Sequence, residues 1–312
     1  MNTTPGTDPI RIFCGADRSQ QLPFQVLAHS IRRHTAHPVE IQIIDNRLAP
    51  PVEDPRYAPY TEFSFGRFAI PAMCGYAGRA VYMDSDMLVF RDIAELWNTP
   101  MGEARIAIEI GSRDQADWGK HAAVMLMDCA RLPWKVDAIV AGLGRDYDYN
   151  QLMAIDPLLA PGDMQELIPT GWNDLDHFEP GRTRNLHYTE IRTQPWVEPG
   201  HPHGDLWTAE IRHMLEHGAL TTEAIETEVR EGYVRPSLLV ELGLRDGGTD
   251  TGAAALKRYD QDQGYVPHKR LLDRFRARRR AIRKFEADQA WARNKLVGAF
   301  KKLAYQVKYG RD

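Results

Sequence analysis

The residues best spaced for chemistry in this chain are carboxylates. Asp-x-Asp triplets occur at Asp84-Ser85-Asp86, Asp146-Tyr147-Asp148, Asp174-Leu175-Asp176 and Asp260-Gln261-Asp262. Only the first is bracketed by strand-like apolar residues, Ala80 to Met83 before it and Met87 to Phe90 after it. In an open α/β sheet, ligands collect beyond the carboxyl ends of strands, which is where two acidic side chains following AVYM project. Two carboxylates there can hold a hard divalent cation such as Mg²⁺ or Mn²⁺, and the cation can clamp a diphosphate and stabilise it as a leaving group. A solvated turn after a strand is the bland alternative.

A second chemistry competes for the same triplet. Haloacid-dehalogenase-type phosphatases also place Asp-x-Asp after an apolar strand, and Asp84 would then be a covalent nucleophile. Those enzymes usually carry the motif on the first strand of the fold. Here about eighty residues with a β-α-β pattern precede it, and no later acidic pair in a convincing strand context completes a magnesium site.

The elements that must position the aspartates follow from periodicity. IRIFCG (10–15) has the character of a strand, QQLPFQVLAHSIRRHT carries Phe24, Leu27 and Ile31 at helical spacing, and VEIQIID (39–45) alternates like another strand. The order β-α-β predicts a parallel sheet of nucleotide-binding type. After a Pro-rich connection the pattern predicts a helix with Arg67, a strand over 80–90, strands at 105–110 and 123–128, and a helix over 149–159.

The chain of 312 residues, 43% hydrophobic and 26% charged, has a globular composition that excludes wholesale disorder and collagen-like architecture. Cys14, Cys74 and Cys129 are odd in number and far apart, which argues against a disulfide framework and for a reducing compartment. The N-terminus lacks the order of a signal peptide and no apolar run suffices to span a bilayer, so the chain reads as cytoplasmic. The net charge of -4 hides a strong asymmetry. Residues 268–312 hold 15 Lys or Arg against 4 Asp or Glu, a balance of +11, leaving 24 basic against 39 acidic residues, or -15, for 1–267. In the basic part, Leu271, Phe275, Ile282 and Phe285 share a helical face, and Leu296, Phe300, Leu303 and Val307 follow a heptad-like spacing. A helix packed on the body and an attachment to an anionic membrane surface, on the inner face of the membrane, both suit it. No recognisable nucleic-acid module accompanies the charge, so nucleic acid is not expected as a partner.

The run FGRFAIPAMCGYAGRAVYMDSDMLVFRDIAELW (65–97) resembles glycosyltransferase family 8, and similarity extends over roughly 10–200. The resemblance implies an α/β GT-A fold, Rossmann-like, with a basic helical C-terminal extension. It divides the chain into a catalytic domain over 1–267 and a tail over 268–312. It also implies retaining transfer of a hexose from a nucleotide-sugar, usually a UDP-sugar, with Mn²⁺ (or Mg²⁺), to a hydroxyl of a glycan or lipid-linked glycan. Carried over residue by residue, IFCGAD places Cys14, Ala16 and Asp17 at the nucleotide, with Asp17 at the base. Arg67 falls near the diphosphate and donor sugar, Asp84, Ser85 and Asp86 form the metal motif, and Glu109 contacts the sugar. His187 in LHYTEIRTQPW completes the metal site. Asp17 could instead cap the next helix, Arg67 could be a surface ion-pair partner and Glu109 a strand-end charge; a lone His such as His187 is more often structural.

The chain also departs from the family pattern. Gln194 stands before Pro195-Trp196 where the family has a Lys that reaches the diphosphate, and Arg192 is the candidate substitute. His121 takes the place of a sugar-binding Asn, and Asn150 and Gln151 replace an Asp-Gln-Asp segment facing the sugar. Trp172-Asn173 resembles a family motif near the active site, while a core Trp suits Trp172 equally well. A phosphatase using Asp84 and a non-catalytic membrane-surface adaptor stand as the alternatives.

Overall fold

The computed structural model describes residues 8–111, 120–247, 250–293 and 295–310. Its centre is a six-stranded sheet in the order β2-β1-β3-β6-β5-β7. The strands are β1 (Ile10–Gly15), β2 (Val39–Ile44), β3 (Arg79–Asp84), β5 (Ile106–Glu109), β6 (Val124–Asp128) and β7 (Met164–Ile168). A three-stranded sheet, β4-β9-β8, joins β4 (Met87–Val89), β8 (Asp174–Leu175) and β9 (Asn185–His187). The helices of the body are α1 (Gln21–His34), α2 (Ile70–Met73), α3 (Ala94–Trp97), α4 (Val136–Ala141), α5 (Tyr149–Met153), α6 (Gly204–Glu216), α7 (Thr222–Arg230), α8 (Ser237–Glu241) and α9 (Ala253–Asp262). Two helices close the chain, α10 (Lys269–Arg293) and α11 (Lys295–Tyr309).

The predicted β-α-β start is present, with β1 pairing parallel to β2 and to β3. The sheet is not wholly parallel, because β6 runs antiparallel to both β3 and β5. Alternation along β1 and β3 sends Phe13 and Tyr82 to one core and Ile12, Cys14, Val81 and Met83 to the other, where Leu27 and Ile31 of α1 cover them. A third core gathers Trp196, Trp207 and Ile211 with Leu238 and Leu239 of α8.

Two expected elements differ in detail. The strand over 80–90 breaks at Ser85-Asp86, so β3 stays in the large sheet while β4 turns into the small one. The helix over 149–159 ends at Met153, and Ile155 with φ 69° turns the chain before Pro157. Arg67 lies in a single 3-10 turn, Gly66–Ala69.

α10 and α11 fold back on each other. Gly298 lets the two backbones approach, since a Cβ there would meet the Trp291 Cα at 2.1 Å. Lys302 pairs with Asp288 at 3.2 Å along the same seam. α10 rests on the body, whereas α11 turns Phe300, Leu303 and Val307 outward, 79%, 58% and 81% exposed. The Leu296 side chain lies outside the described residues. No described helix is long and apolar enough to cross a membrane.

Candidate active site

The two sheets meet at the aspartate pair. β1 and β3 are in register with Gly15 opposite Asp84, so the loop carrying Asp17 and the Asp84-Ser85-Asp86 turn open at the same sheet end, where the strand order reverses. Met87 of β4 pairs with His187 of β9, and Tyr188 N donates to Asp86 O at 2.9 Å. That ladder delivers a residue about a hundred positions downstream to the motif.

The ligand atoms of Asp84, Asp86 and His187 lie within 4.8 Å of one another. His187 Nε2 is 3.1 Å from Asp86 Oδ1, and its Nδ1 lies 2.9 Å from Asn173 Oδ1. Because a carboxamide oxygen can only accept, Nδ1 carries the proton and Nε2 faces the carboxylates. Gln194 Nε2 donates to Asp86 Oδ2 at 3.0 Å and to Tyr188 O at 2.9 Å. The Tyr82 hydroxyl donates to Asp84 Oδ1. Arg67, buried, sits 3.6 Å from Asp84 with its guanidinium 4.5 Å from the Tyr82 ring centroid, and donates to Ala122 O at 3.3 Å.

Burial pushes the Asp84 carboxyl above the usual range, Arg67 pulls it down and the Asp86 charge adds to the rise. For His187, burial opposes the charged form, but the neighbouring carboxylates, Asp86 first and then Asp84 and Asp176, together raise the imidazole. Two like charges and a ring aimed at one point suit a cation between them. The donor set, carboxylate oxygens with one imidazole nitrogen, is acceptable to Mn²⁺ or Mg²⁺.

These residues floor a cavity of about 530 Å³. Of the expected site residues, Asp17, Arg67, Asp84, Asp86, Asn150, His187 and Gln194 line it. Asp17 serves a second purpose as well, since its Oδ1 accepts from Ser19 N at 2.8 Å and caps the turn after β1. Ser85 stands behind the wall, donating to Gln20 Oε1 at 3.2 Å, and Gln20 lines the cavity.

The other expected residues lie off the wall. Cys14 and Ala16 are buried in the β1 end, and burial pushes the Cys14 thiol up. Glu109 turns the other way and accepts from Gly171 N at 2.7 Å, anchoring the loop that carries Asn173. Gln151 closes a capping box with Asp148 at the start of α5. Arg192 is exposed, its backbone N–H donating to Glu190 at 3.2 Å, so it brings no cation to the cavity. The His121 side chain lies outside the described residues. Sequence reasoning missed Tyr60, Tyr149, Tyr233, Arg270 and Arg274 on the wall; no local pattern marks them.

Residues 15–140, which contain the whole Asp84-Ser85-Asp86 turn, match the family model described as Glycosyl transferase family 8. Over these residues the chain is similar to glycosyltransferase family 8. The phosphatase reading of Asp84 gives way to that match. Protein CDI of Arabidopsis thaliana is 40% identical over 92 residues, 28% of this chain and 36% of that protein. Glycosyltransferase 8 domain-containing protein 1 of Mus musculus is 34% identical over 86 residues, 28% of this chain and 18% of that protein. The matches thus span well under half the length of these curated relatives. Among solved structures, WbbM, a bifunctional glycosyltransferase, superposes with a TM-score of 0.50 at 16% identity, over 73% of this chain and 53% of that one. The likeness is one of fold, the mixed α/β GT-A arrangement, and it agrees with the family 8 match.

Proposed function

We propose that the chain is a metal-dependent retaining glycosyltransferase that moves a hexose from a nucleotide-sugar, a UDP-sugar, to a hydroxyl of a glycan or lipid-linked glycan acceptor. The observation that carries the reading is the convergence of Asp84, Asp86 and His187 within 4.8 Å on the floor of a cavity beside the buried Arg67. Asp84, Asp86 and His187 would hold Mn²⁺ or Mg²⁺, which when bound supplies Lewis-acid stabilisation of the diphosphate leaving group. Asn173 fixes the His187 tautomer and Gln194 orients Asp86, as outer partners of metal ligands do. Arg67, desolvated and pointed at the same place, stabilises charge that develops on the departing phosphate. Asp17, at the mouth after β1, is suited to read the base. Asn150 faces the sugar, and Gln151 and Glu109 support the walls from behind.

Among the described residues the only carboxylates on the wall are Asp17, Asp84 and Asp86, so no carboxylate stands free to attack the anomeric carbon. This supports front-face displacement. The acceptor oxygen bonds to the anomeric carbon as the bond to the phosphate breaks, and the hydroxyl proton passes to the leaving phosphate oxygen.

In the same reading residues 1–267 are the catalytic domain and 268–312 a tail whose first turns close one side of the cavity. The outward Phe300, Leu303 and Val307, with Lys301 and Lys308 beside them, support peripheral contact with an anionic membrane on the cytoplasmic side. A thermal-shift panel of nucleotides with and without Mn²⁺ tests the donor reading. Stabilisation by UDP that requires Mn²⁺ is the expected result, and stabilisation by none of the nucleotides would refute it.

A further inference from the structure

We propose that the C-terminal helix α10 is part of the donor site, with Arg270 and Arg274 supplying the positive charge that holds the diphosphate; the inference rests on the donor reading above. The composition of the cavity wall carries it. Among the described residues the body contributes three carboxylates, Asp17, Asp84 and Asp86, and one guanidinium, Arg67. With its histidines neutral, a divalent cation at the aspartate pair brings that set only to neutrality. The diphosphate of a nucleotide-sugar is a dianion, and a neutral, partly desolvated site offers it no net attraction. The other two cations among the described wall residues, Arg270 and Arg274, come from α10. Four residues apart, they share one helix face, with Leu271 and Phe275 beside them in the lining. With them the loaded cavity carries the net positive charge that a dianion needs.

The guanidinium groups are fixed from behind. Arg274 lies 3.3 Å from Asp17 and 3.2 Å from Glu62, and its Nε has no partner among the described residues. Glu62 is 62% exposed, so water screens its hold on Arg274, and a guanidinium retains donors beyond those two contacts. Arg270 donates to Glu231 O at 3.1 Å, and its guanidinium lies 4.9 Å from the Tyr233 ring centroid. It also pairs with the Glu231 carboxylate at 3.2 Å, a pair that water screens because Glu231 is 44% exposed. One turn beyond Arg274, Arg278 donates to Arg56 O at 2.8 Å and stacks 4.2 Å from the Tyr60 ring centroid. Contacts on successive turns thus set the helix in place before a ligand arrives, which lowers the ordering cost of binding. Asp17 and Asp84 open at the same sheet end, and Arg274 on Asp17 lines the same cavity as the aspartate pair.

The test is calorimetric titration of the full chain with UDP and with uridine, in Mn²⁺ at fixed ionic strength. The variants are Arg274→Ala, the double variant Arg270→Ala/Arg274→Ala, and Arg274→Lys. Arg279→Ala, exposed on the same helix, is the control of equal charge. UDP binding is expected to weaken about ten- to hundredfold in the double variant while uridine changes by less than about twofold. Arg274→Lys should recover most of the loss, and Arg279→Ala should match the parent. Equal weakening of uridine and UDP would overturn the proposal in favour of a purely structural wall. Unchanged or tighter UDP binding would overturn it in favour of a helix that ignores or blocks the donor. A parent chain that binds neither probe fails at the donor reading itself, a result distinct from both.

Discussion

Replacing Glu109 by Gln should make the protein more stable at alkaline pH and leave it unchanged in acid. Glu109 is 6% exposed, and burial is the main cause that pushes its carboxyl from an ordinary value of 4.5 up to about 7, with Asp174 adding to the rise and the Gly171 N–H opposing it. An acid whose pKa is raised by folding is protonated in the native state and ionised in the unfolded chain between those two values. The native state then binds more protons, and stability falls as pH rises through that window. At about 1.4 kcal/mol per pH unit, the loss reaches ~3 kcal/mol above pH 7 and is absent below the unfolded value. Glu109→Gln keeps an acceptor for Gly171 N and removes the titration. Urea unfolding at pH 5, 6, 7 and 8 should therefore show parent stability falling across the series relative to the variant, by up to ~3 kcal/mol. Parallel pH profiles for the two proteins would refute the assignment of a buried, raised carboxyl.

The remaining predictions concern the metal shell, the core and the tail. Asn173→Ala removes the acceptor that fixes the His187 tautomer, so Mn²⁺ affinity measured by calorimetry should fall about 10–100-fold; unchanged affinity would deny Asn173 that role. Arg235, 1% exposed, donates to Pro195 O and to Ser237 Oγ, each at 2.7 Å, and pairs with Glu241. Its replacement by Ala should cost about 3–5 kcal/mol in urea unfolding, and a loss below ~1 kcal/mol would contradict the packing described for the α8 region. Changing Phe300, Leu303 and Val307 together to Ser should weaken binding to anionic vesicles by about tenfold or more without lowering the melting temperature. Equal vesicle binding would remove the membrane contact from the account.

What was legible in the sequence was local. A short apolar run gave β1, alternation gave β2, helical spacing gave α1, and strand context singled out Asp84-Ser85-Asp86 from four similar triplets. His187 was reached only through family resemblance, since its placement depends on the β4–β9 register rather than on anything near it in the chain. Direction was harder to read than identity. Glu109 and Gln151 have suitable chemistry, but one points to the Gly171 loop and the other closes a helix cap that Asp148-x-x-Gln151 already spelled out. The cavity wall was least legible. Arg274 meets Asp17 across 257 residues, and the charge run, which suited both a helix packed on the body and a membrane attachment, gave no sign of which arginines face inward.

In the proposed function the Asp84, Asp86 and His187 cluster holds the metal that makes nucleotide-sugar chemistry possible. Release of UDP from a panel of UDP-hexoses, with Mn²⁺ or with chelator, in the parent and in Asp86→Ala, tests it most directly. Mn²⁺-dependent UDP release from at least one donor is expected in the parent. In Asp86→Ala, which should remain folded, that release should fall to background. Release that survives chelation, or an Asp86→Ala variant with parental activity, would contradict it.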